Sequence, residues 1–181
     1  RKEIEGLRAI AVISVILYHT KLIFNNHEVF QGGFIGVDIF FVISGYLISS
    51  IIFRELELTG SFSFKHFYER RIRRLLPVLL VVMLVSLPFA WIYMFPSGFI
   101  DLSKSILYSL GFSSNFYFYF TGETYFDPGV IYKPFLHTWS LSVEEQYYIL
   151  FPITLIVIFK YYRKYLIFFL FLTFLISLGL D

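Results

Sequence analysis

Residues 34–53 read FIGVDIFFVISGYLISSIIF, and this stretch decides the fold. Its twenty residues include a single charged side chain, that of Asp38, and twenty apolar residues are the length that an α-helix needs to cross a membrane. Similar stretches recur along the chain at residues 9–25, 75–95, 139–159 and 166–181. The sequence therefore predicts an all-α fold, a polytopic transmembrane helix bundle with about five spans.

The composition of the 181-residue chain is typical of a membrane protein. Hydrophobic residues make up 57% and charged residues 15%, whereas soluble domains contain about 25% charged residues. So much apolar surface excludes a disordered chain, and the absence of cysteine excludes a disulfide-stapled module and cysteine metal sites. The net charge of +2 is too small to indicate nucleic acid as a partner, and the chain has no metal-binding or nucleotide-binding motif.

The positions of lysine and arginine predict the orientation, because these residues accumulate on the cytoplasmic side of membranes. Of the 15 lysines and arginines, 12 lie in residues 1–8, 54–74 and 160–165. A cytoplasmic amino terminus and alternating spans put all of these segments on the cytoplasmic side. This orientation requires residues 96–138 to stay outside. We expect that segment, which Gly111 and neighbouring serines interrupt, to be re-entrant or interfacial.

Both ends of the sequence indicate that it belongs to a longer protein. The first residue is Arg1 rather than methionine, and the apolar stretch that begins near Leu166 stops at Asp181. Nothing before the first apolar stretch resembles the cleavage site of a signal peptide. We therefore expect this chain to be a fragment of a larger membrane protein.

Arg8 and His19 lie on one face of the first predicted helix. They are eleven residues apart, which corresponds to about 20° around the helix axis and about 16 Å along it. One face thus carries a cation at the inner surface and an imidazole in the outer half of the membrane, where ionisable residues point to function. A snorkelling arginine and a histidine that hydrogen-bonds a neighbouring helix explain the pattern equally well.

Carboxylates stand near the outer ends of two predicted spans, Asp38 in the second and Glu144 with Glu145 in the fourth. Together with His19 they would form an outer cluster, and a histidine beside carboxylates is the usual arrangement of a general base. The alternative is that each carboxylate only favours the positive end of a helix dipole. His137, just before the fourth span, either joins this cluster or belongs to an interfacial aromatic belt.

A dense basic cluster, FKHFYERRIRRLLP, leads into the third span. Charge alone favours a role in topology and in contact with anionic lipid headgroups. The guanidinium group also suits phosphate oxygens, so a phosphate-binding patch is the alternative. The arginines of this cluster are Arg70, Arg71, Arg73 and Arg74.

Ser44 and Gly45 form a pair of small residues inside the second span. The pair is not the nucleophile elbow of a hydrolase, because it lies within an apolar helix. Small residues let helix backbones approach each other, so we interpret the pair as a site of close helix packing.

Four segments of the chain, in this order, resemble the acyltransferase-3 family of integral membrane acyltransferases. They are EGLRAIAVISVILYH, GGFIGVDIFFVISGYLI, FYERRIRRLLP and HTWSLSVEEQYYILFP, and they extend from Glu5 to Pro152. The pattern is most similar to the bacterial branch that O-acylates O-antigen lipopolysaccharide, exopolysaccharide and peptidoglycan. The resemblance implies about ten transmembrane helices in the whole protein, of which this chain would hold the amino-terminal part.

The resemblance also implies the reaction and its partners. Members of the family take an acyl group, usually acetyl, from cytoplasmic acyl-CoA and transfer it to a hydroxyl group outside the membrane. The expected partners are therefore acyl-CoA, as a donor substrate rather than a tightly bound cofactor, an extracytoplasmic glycan acceptor and membrane lipids. The expected location is the bacterial inner (plasma) membrane, and many bacterial members carry an appended SGNH-type domain.

The site residues that the resemblance implies come from the matching motifs. The family's arginine-to-histidine motif matches Arg8 and His19, and the histidine is regarded as catalytic. The glutamate of the family's SxExQ stretch matches Glu144 rather than Glu145, and the aspartate of GVDxFFVxSG matches Asp38. The family's paired-arginine motif matches either Arg70 with Arg73 or Arg71 with Arg74.

These assignments give a mechanistic hypothesis. Acyl-CoA would place its phosphates near Arg8 and the arginine cluster, and its thioester towards His19. His19 would act either as a general base for the acceptor hydroxyl or as a transient acyl carrier, with Glu144 or Asp38 orienting the imidazole. The alternative is a proton-coupled transporter, because intramembrane histidines and carboxylates also form proton relays. A scaffold without chemistry would leave the Arg8–His19 face unexplained.

Overall fold

A computed structural model describes residues 2–24, 27–121 and 133–180 of the chain. The described residues form α-helices, apart from one antiparallel pair of two-residue strands, β1 (Ile23–Phe24) and β2 (His27–Glu28), and short 3₁₀ turns. This architecture confirms the predicted all-α class. The helices are α1 (Lys2–His19), α2 (Ile35–Thr59), α3 (Phe64–Tyr93), α4 (Pro96–Leu110), α5 (Ser114–Phe120), α6 (Thr138–Tyr161) and α7 (Leu166–Leu180).

Three helical segments of the described residues are long and apolar enough to cross a membrane, namely Gln31–Thr59, Phe64–Tyr93 and Thr138–Tyr161. They coincide with the second, third and fourth predicted spans. Helix α1 covers most of the first predicted span but has four charged residues in its first two turns, and α7 is described over 15 residues. A membrane crossing by α1 and α7 therefore stays a prediction.

The ends of the helices differ from the predicted ends where local chemistry decides them. The first helix stops at His19, not at residue 25, and Lys21 beyond it has a φ of 46°. Helix α3 begins at Phe64, before the basic cluster, because the Ser63 hydroxyl accepts a hydrogen bond from the backbone N–H of His66. Arginine is a good helix former, so the cluster extends the helix rather than preceding it.

The segment predicted to stay outside contains two short helices, α4 and α5. Helix α4 is 15 residues long, and its length of about 22 Å is less than the roughly 30 Å of hydrocarbon in a bilayer. A row of buried hydroxyl groups attaches both helices to α6. Residues 122–132 of the segment lie outside the described residues, and its position relative to the membrane stays a prediction.

Helix α1 lies directly on the start of α2 because glycines remove the side chains between them. A Cβ atom built on Gly33 would overlap the carbonyl oxygen of Ser14, and one built on Gly36 would overlap that of Ala11. Gly45 shows no such overlap, since a Cβ there would lie 3.6 Å from the hydroxyl of Tyr147, an ordinary contact. Ser44 and Gly45 instead face α6, where the buried Ser44 hydroxyl donates to Glu144, and the tightest glycine contact of α2 lies at Gly36.

A buried apolar cluster joins the cytoplasmic halves of α2, α3 and α6 under the predicted orientation. A second one joins the other half of α3 to α4. The first contains Ile48, Ile52, Leu56, Phe67, Tyr148 and Leu155, and the second contains Met83, Ala90, Leu102, Ile106 and Phe135. Together they fix the positions of the four helices that carry most of the polar residues discussed below.

Candidate active site

A cavity of about 340 Å³ lies between α1, α2, α3 and α6, and we call it the arginine cavity. Four of the arginines singled out in the sequence reach it from two different helices. Its floor carries the carboxylate of Glu144. The polar lining residues are Arg8, Ser44, Arg70, Arg71, Arg74, Glu144 and Tyr148.

The register of the basic cluster is clear in the structure, where Arg70, Arg71 and Arg74 line the cavity. Arg73 instead forms an ion pair of 2.7 Å with Glu69, one helical turn away, and 78% of its side chain is exposed. Residues two positions apart point about 160° apart on an α-helix, which explains why Arg71 and Arg73 face different surroundings. The geometry favours the pairing of Arg71 with Arg74.

Arg71 is held on two sides by residues of α6. Its guanidinium group donates to Glu145 at 2.5 Å and lies over the ring of Tyr148, 3.3 Å from the ring centroid. Its Nε is buried and has no hydrogen-bond partner among the described residues. Glu145 is 8% exposed, so its charge is compensated by Arg71 within the packed helices.

Glu144 accepts two hydrogen bonds. The hydroxyl of Ser44 donates to it at 2.5 Å from α2, and the hydroxyl of Tyr148 donates to it from one turn further along α6. Sequence reasoning missed both donors. The spacing of four residues between Glu144 and Tyr148 could have indicated the second, but a bond between residues 44 and 144 depends on tertiary packing.

The SVEEQ stretch of α6 points its polar side chains in three directions. Ser142 binds the Ser114 hydroxyl at 2.8 Å, and Gln146 donates to the carbonyl of Phe112 at 2.8 Å, which fixes α5. Glu144 points to α2 and Glu145 to α3. Consecutive residues are 100° apart around a helix, so one short stretch can bind three neighbouring elements.

His19 lies at the end of α1 and is exposed. Its Nδ1 lies 2.7 Å from the carbonyl oxygen of Val15. A carbonyl oxygen can only accept, so Nδ1 is the donor in this contact. The ring of Tyr18 meets the imidazole edge-on at a centroid distance of 5.3 Å.

His137 lies in the same region as His19. Its pKa is lowered chiefly because surrounding protein atoms desolvate the ring, although part of its surface is exposed, and the charge of His19 lowers it further. A hydrogen bond to the carbonyl of Pro134 acts in the opposite direction. His137 and His19 thus influence each other electrostatically at the predicted outer side.

The predicted outer cluster of His19 with Asp38 and Glu144 is not found in the described contacts. The orienting partner of His19 is the backbone carbonyl of Val15, and the partners of Glu144 are Ser44 and Tyr148. Asp38 is exposed in the first turn of α2 and has no hydrogen-bond partner among the described residues. Glu144 lies six residues, or about 9 Å, inside α6, which places it beside the arginines.

The motifs, the long apolar helices and the arginine cavity define a membrane protein of the acyltransferase-3 family. The chain belongs to this family, whose model, described as an acyltransferase domain, matches residues 1–180. The match confirms the resemblance seen in the sequence.

The curated relatives carry O-acetyltransferase names. The chain is 40% identical over 161 residues to peptidoglycan O-acetyltransferase OatA of Listeria monocytogenes, which covers 89% of this chain and 25% of that protein. It is 38% identical over 178 residues to O-acetyltransferase OatA of Staphylococcus aureus, which covers 98% of this chain and 28% of that protein. A putative O-acetyltransferase of S. aureus strain COL is 39% identical over 179 residues, with the same coverage.

The chain spans about a quarter of the length of the curated relatives that it matches. No solved structure matches it. The comparisons therefore place the chain in a family and say nothing of which side chains react.

Proposed function

We propose that this chain is the amino-terminal part of a membrane O-acyltransferase that transfers an acetyl group from cytoplasmic acyl-CoA to hydroxyls of an extracytoplasmic glycan. Peptidoglycan is the first acceptor to test, because the relatives include a peptidoglycan O-acetyltransferase. The observation that carries the proposal is the arginine cavity, which gathers four arginines from α1 and α3 around one space. The clustering of lysine and arginine supports a cytoplasmic amino terminus in the inner membrane of a bacterium.

The arginine cavity has the charge that a phosphorylated donor requires. Arg71 is compensated by Glu145, whereas Arg8, Arg70 and Arg74 have no ion-pair partner among the described residues. Guanidinium groups bind phosphate oxygens through paired N–H donors, and they keep their charge even when partly buried. The cavity volume of about 340 Å³ is at the lower end of the roughly 300–1,000 Å³ typical of small-molecule sites.

His19 is the group that we propose reacts at the other end of the donor. It lies about 16 Å beyond Arg8 on the same face of α1, so an extended thioester arm would run between the two residues. As a general base, Nε2 would take the proton of the acceptor hydroxyl while the oxygen attacks the thioester carbonyl and the C–S bond breaks. As a carrier, Nε2 would itself attack the carbonyl, and the C–S bond would break with release of the CoA thiolate. The acceptor hydroxyl would then attack the acyl group, the N–acyl bond would break, and the proton of the hydroxyl would pass to the thiolate.

Glu144 takes a different role in this proposal from the one that its position in the sequence suggested. Because it lies beside Arg71 and Ser44 rather than His19, it would contact the donor in the arginine cavity and hold its arm. Asp38 stays a predicted site residue whose exposed carboxylate faces the outer side.

Labelled acetyl-CoA tests the proposal in membranes that contain the full-length protein. Label should enter peptidoglycan or lipid-linked glycans, and His19→Ala should abolish the incorporation while His27→Ala, in exposed β2, should leave it intact. Full activity in His19→Ala, with both variants inserted equally, would remove His19 from the mechanism. No incorporation with acetyl-CoA, longer acyl-CoAs or several acceptors would contradict acyl transfer, and solute flux across sealed vesicles would then test the transporter alternative.

Two matched arginine variants test whether the arginine cavity binds acetyl-CoA. Arg74→Gln should raise the KM for acetyl-CoA about tenfold, because one charge-assisted contact to a phosphate is lost. Arg73→Gln removes the same charge one position earlier, from a side chain that pairs with Glu69, and should leave this KM unchanged. Equal effects of the two substitutions would indicate that the cluster acts only through net charge.

A further inference from the structure

A second cavity, of about 730 Å³, lies at the opposite end of α3 from the arginine cavity. The end of α3, the first turns of α4, helix α5 and the residues just before α6 enclose it. Tyr93 at its rim is 22 residues from Arg71, or about 33 Å along the helix. Under the predicted orientation this outer cavity therefore opens on the side where an acceptor would stand.

Aromatic rings form much of the outer cavity. Tyr93 and Phe95 stand at the rim with most of their surface exposed, and Phe118 lies buried in the wall. Tyr117 lines the cavity and is fixed by stacking on Tyr108, with a centroid distance of 4.7 Å and an interplanar angle of 20°. The cavity thus offers flat apolar surfaces whose orientation is set before a ligand arrives.

A carboxylate shares this aromatic space. Asp101 of α4 lines the cavity with Tyr117, and the pKa of Tyr117 is raised chiefly by burial and in addition by the negative charge of Asp101. The phenol therefore stays protonated and can donate, while the carboxylate can only accept.

Aromatic rings beside charged side chains suit a ligand that has both an apolar face and hydrogen-bonding groups. Lys133 also lines the cavity, so the polar lining includes one acidic and one basic side chain. A lipid tail offers neither of them a hydrogen-bond partner, and a phosphate suits Lys133 but is repelled by Asp101. An aromatic belt at the membrane interface would account for the rings but not for the carboxylate between them. A sugar satisfies both features, because its hydroxyls donate to the carboxylate while the C–H groups of its ring face pack on the aromatic surfaces.

We propose that the outer cavity binds a saccharide ring of the acceptor glycan, with Asp101 accepting from sugar hydroxyls and Tyr117 supplying a ring face and a hydroxyl. The assignment of this saccharide as the acceptor rests on the proposed function. The cavity volume lies within the range of about 300–1,000 Å³ that is typical of small-molecule sites.

Direct binding tests the outer cavity without requiring any reaction. The probe is the soluble tetramer of N-acetylglucosamine, added to the purified full-length protein in lipid nanodiscs and followed by saturation-transfer-difference NMR. Asp101→Asn should weaken binding about tenfold or more, because a hydrogen bond to a charged group is lost, and Tyr117→Phe should weaken it several-fold. Tyr108→Phe is the matched control, because Tyr108 stacks on Tyr117 but does not line the cavity, and it should bind as the unmodified protein does.

The outcomes separate this proposal from the proposed function. If acetyl transfer occurs and neither Asp101→Asn nor Tyr117→Phe changes the acceptor KM or tetramer binding, the outer cavity is not a saccharide site and the proposed function stands. If tetramer binding depends on both residues but no acetyl group is transferred, the cavity stands and the proposed function fails. Absence of tetramer binding to the unmodified protein, or displacement of bound phospholipid instead, would overturn the saccharide assignment. Tyr117→Phe keeps the stacked ring, so it reports on binding even if Asp101→Asn misfolds.

Discussion

Two glutamates that are neighbours in the sequence have different surroundings in the structure. Glu145 compensates the charge of Arg71, whereas Glu144 accepts hydrogen bonds from the uncharged hydroxyls of Ser44 and Tyr148 and lines the arginine cavity. Glu145 therefore stabilises the packing of α3 on α6, whereas Glu144 belongs to the arginine cavity. We expect substitution of Glu145 to lower stability and loss of the contacts of Glu144 to affect donor binding.

Glu145→Gln should destabilise the protein much more than the same change in an exposed ion pair. Removing one partner of a buried pair leaves Arg71 uncompensated, and such losses cost about 3 kcal/mol or more. Glu69→Gln breaks the pair with Arg73 and should cost less than about 1 kcal/mol, because the side chain of Arg73 is 78% exposed and that of Glu69 is 42% exposed. Chemical unfolding of the full-length protein in mixed micelles measures both, and equal losses would show that the Arg71–Glu145 pair is not buried in the whole protein.

Ser44→Ala should lower acetyl transfer about tenfold, since a hydrogen bond to a charged group contributes about 1.5–3 kcal/mol. The effect should appear in the KM for acetyl-CoA if Glu144 holds the donor. Ser49→Ala is the control, because the Ser49 hydroxyl donates only to the carbonyl of Gly45 within α2. Unchanged kinetics in Ser44→Ala would remove Glu144 from the donor site.

At the residue scale, the sequence predicts the participants of the arginine cavity better than their contacts. Arg8 and the cluster in α3 stand out because charges are rare in apolar stretches, and the structure does bring them together. The partners of Glu144 could not be predicted, because the depth of a side chain in the bundle depends on how far α2 and α6 slide along each other. His19 was expected to need a carboxylate, but the helix supplies an orienting carbonyl of its own.

At the scale of the elements, composition predicts where the helices are and local chemistry decides where they end. The three longest apolar helices lie over predicted spans, because a helix satisfies its backbone hydrogen-bonding groups within a single apolar segment. The extension of α3 back to Phe64 and the break after His19 depend on a capping hydroxyl and on local backbone angles, which hydropathy does not report. Hydroxyl pairs such as Ser109 with Thr138, at 2.7 Å, then attach the short helices to α6.

The contact between α1 and α2 gives a test at this scale. Gly33→Ala should destabilise the protein by about 1–3 kcal/mol and impair transfer, because the new methyl group would overlap the carbonyl of Ser14 and push α1 away. Gly32→Ala makes the same change one residue earlier, where the nearest atom would be 4.0 Å away, and should be nearly neutral. Thermal unfolding and acetyl transfer measure both variants. Equal tolerance of both would contradict the close packing of α1 on α2.

At the scale of the whole molecule, the two cavities lie at opposite ends of α3 and differ in charge. Arginines dominate one, whereas the other has aromatic rings with one acidic and one basic side chain, Asp101 and Lys133. A phosphorylated donor and an uncharged acceptor would therefore be attracted to different sides of the same bundle. This arrangement fits the proposed reaction only if the arginine cavity opens to the cytoplasm. Both proposals therefore depend on the orientation of the chain in the membrane.

The orientation can be measured with single cysteines, because the native residues of this chain include none. Ser61→Cys, between α2 and α3, and Lys164→Cys, between α6 and α7, should react with a membrane-impermeant maleimide only after the cells are permeabilised. His27→Cys and Lys104→Cys should react in intact cells, because β2 and α4 lie on the outer side in the predicted orientation. All four positions are exposed, so differences in labelling report on the side of the membrane rather than on burial. Labelling of Lys104→Cys only after permeabilisation would place α4 on the cytoplasmic side, and the outer cavity could then no longer receive an extracytoplasmic glycan.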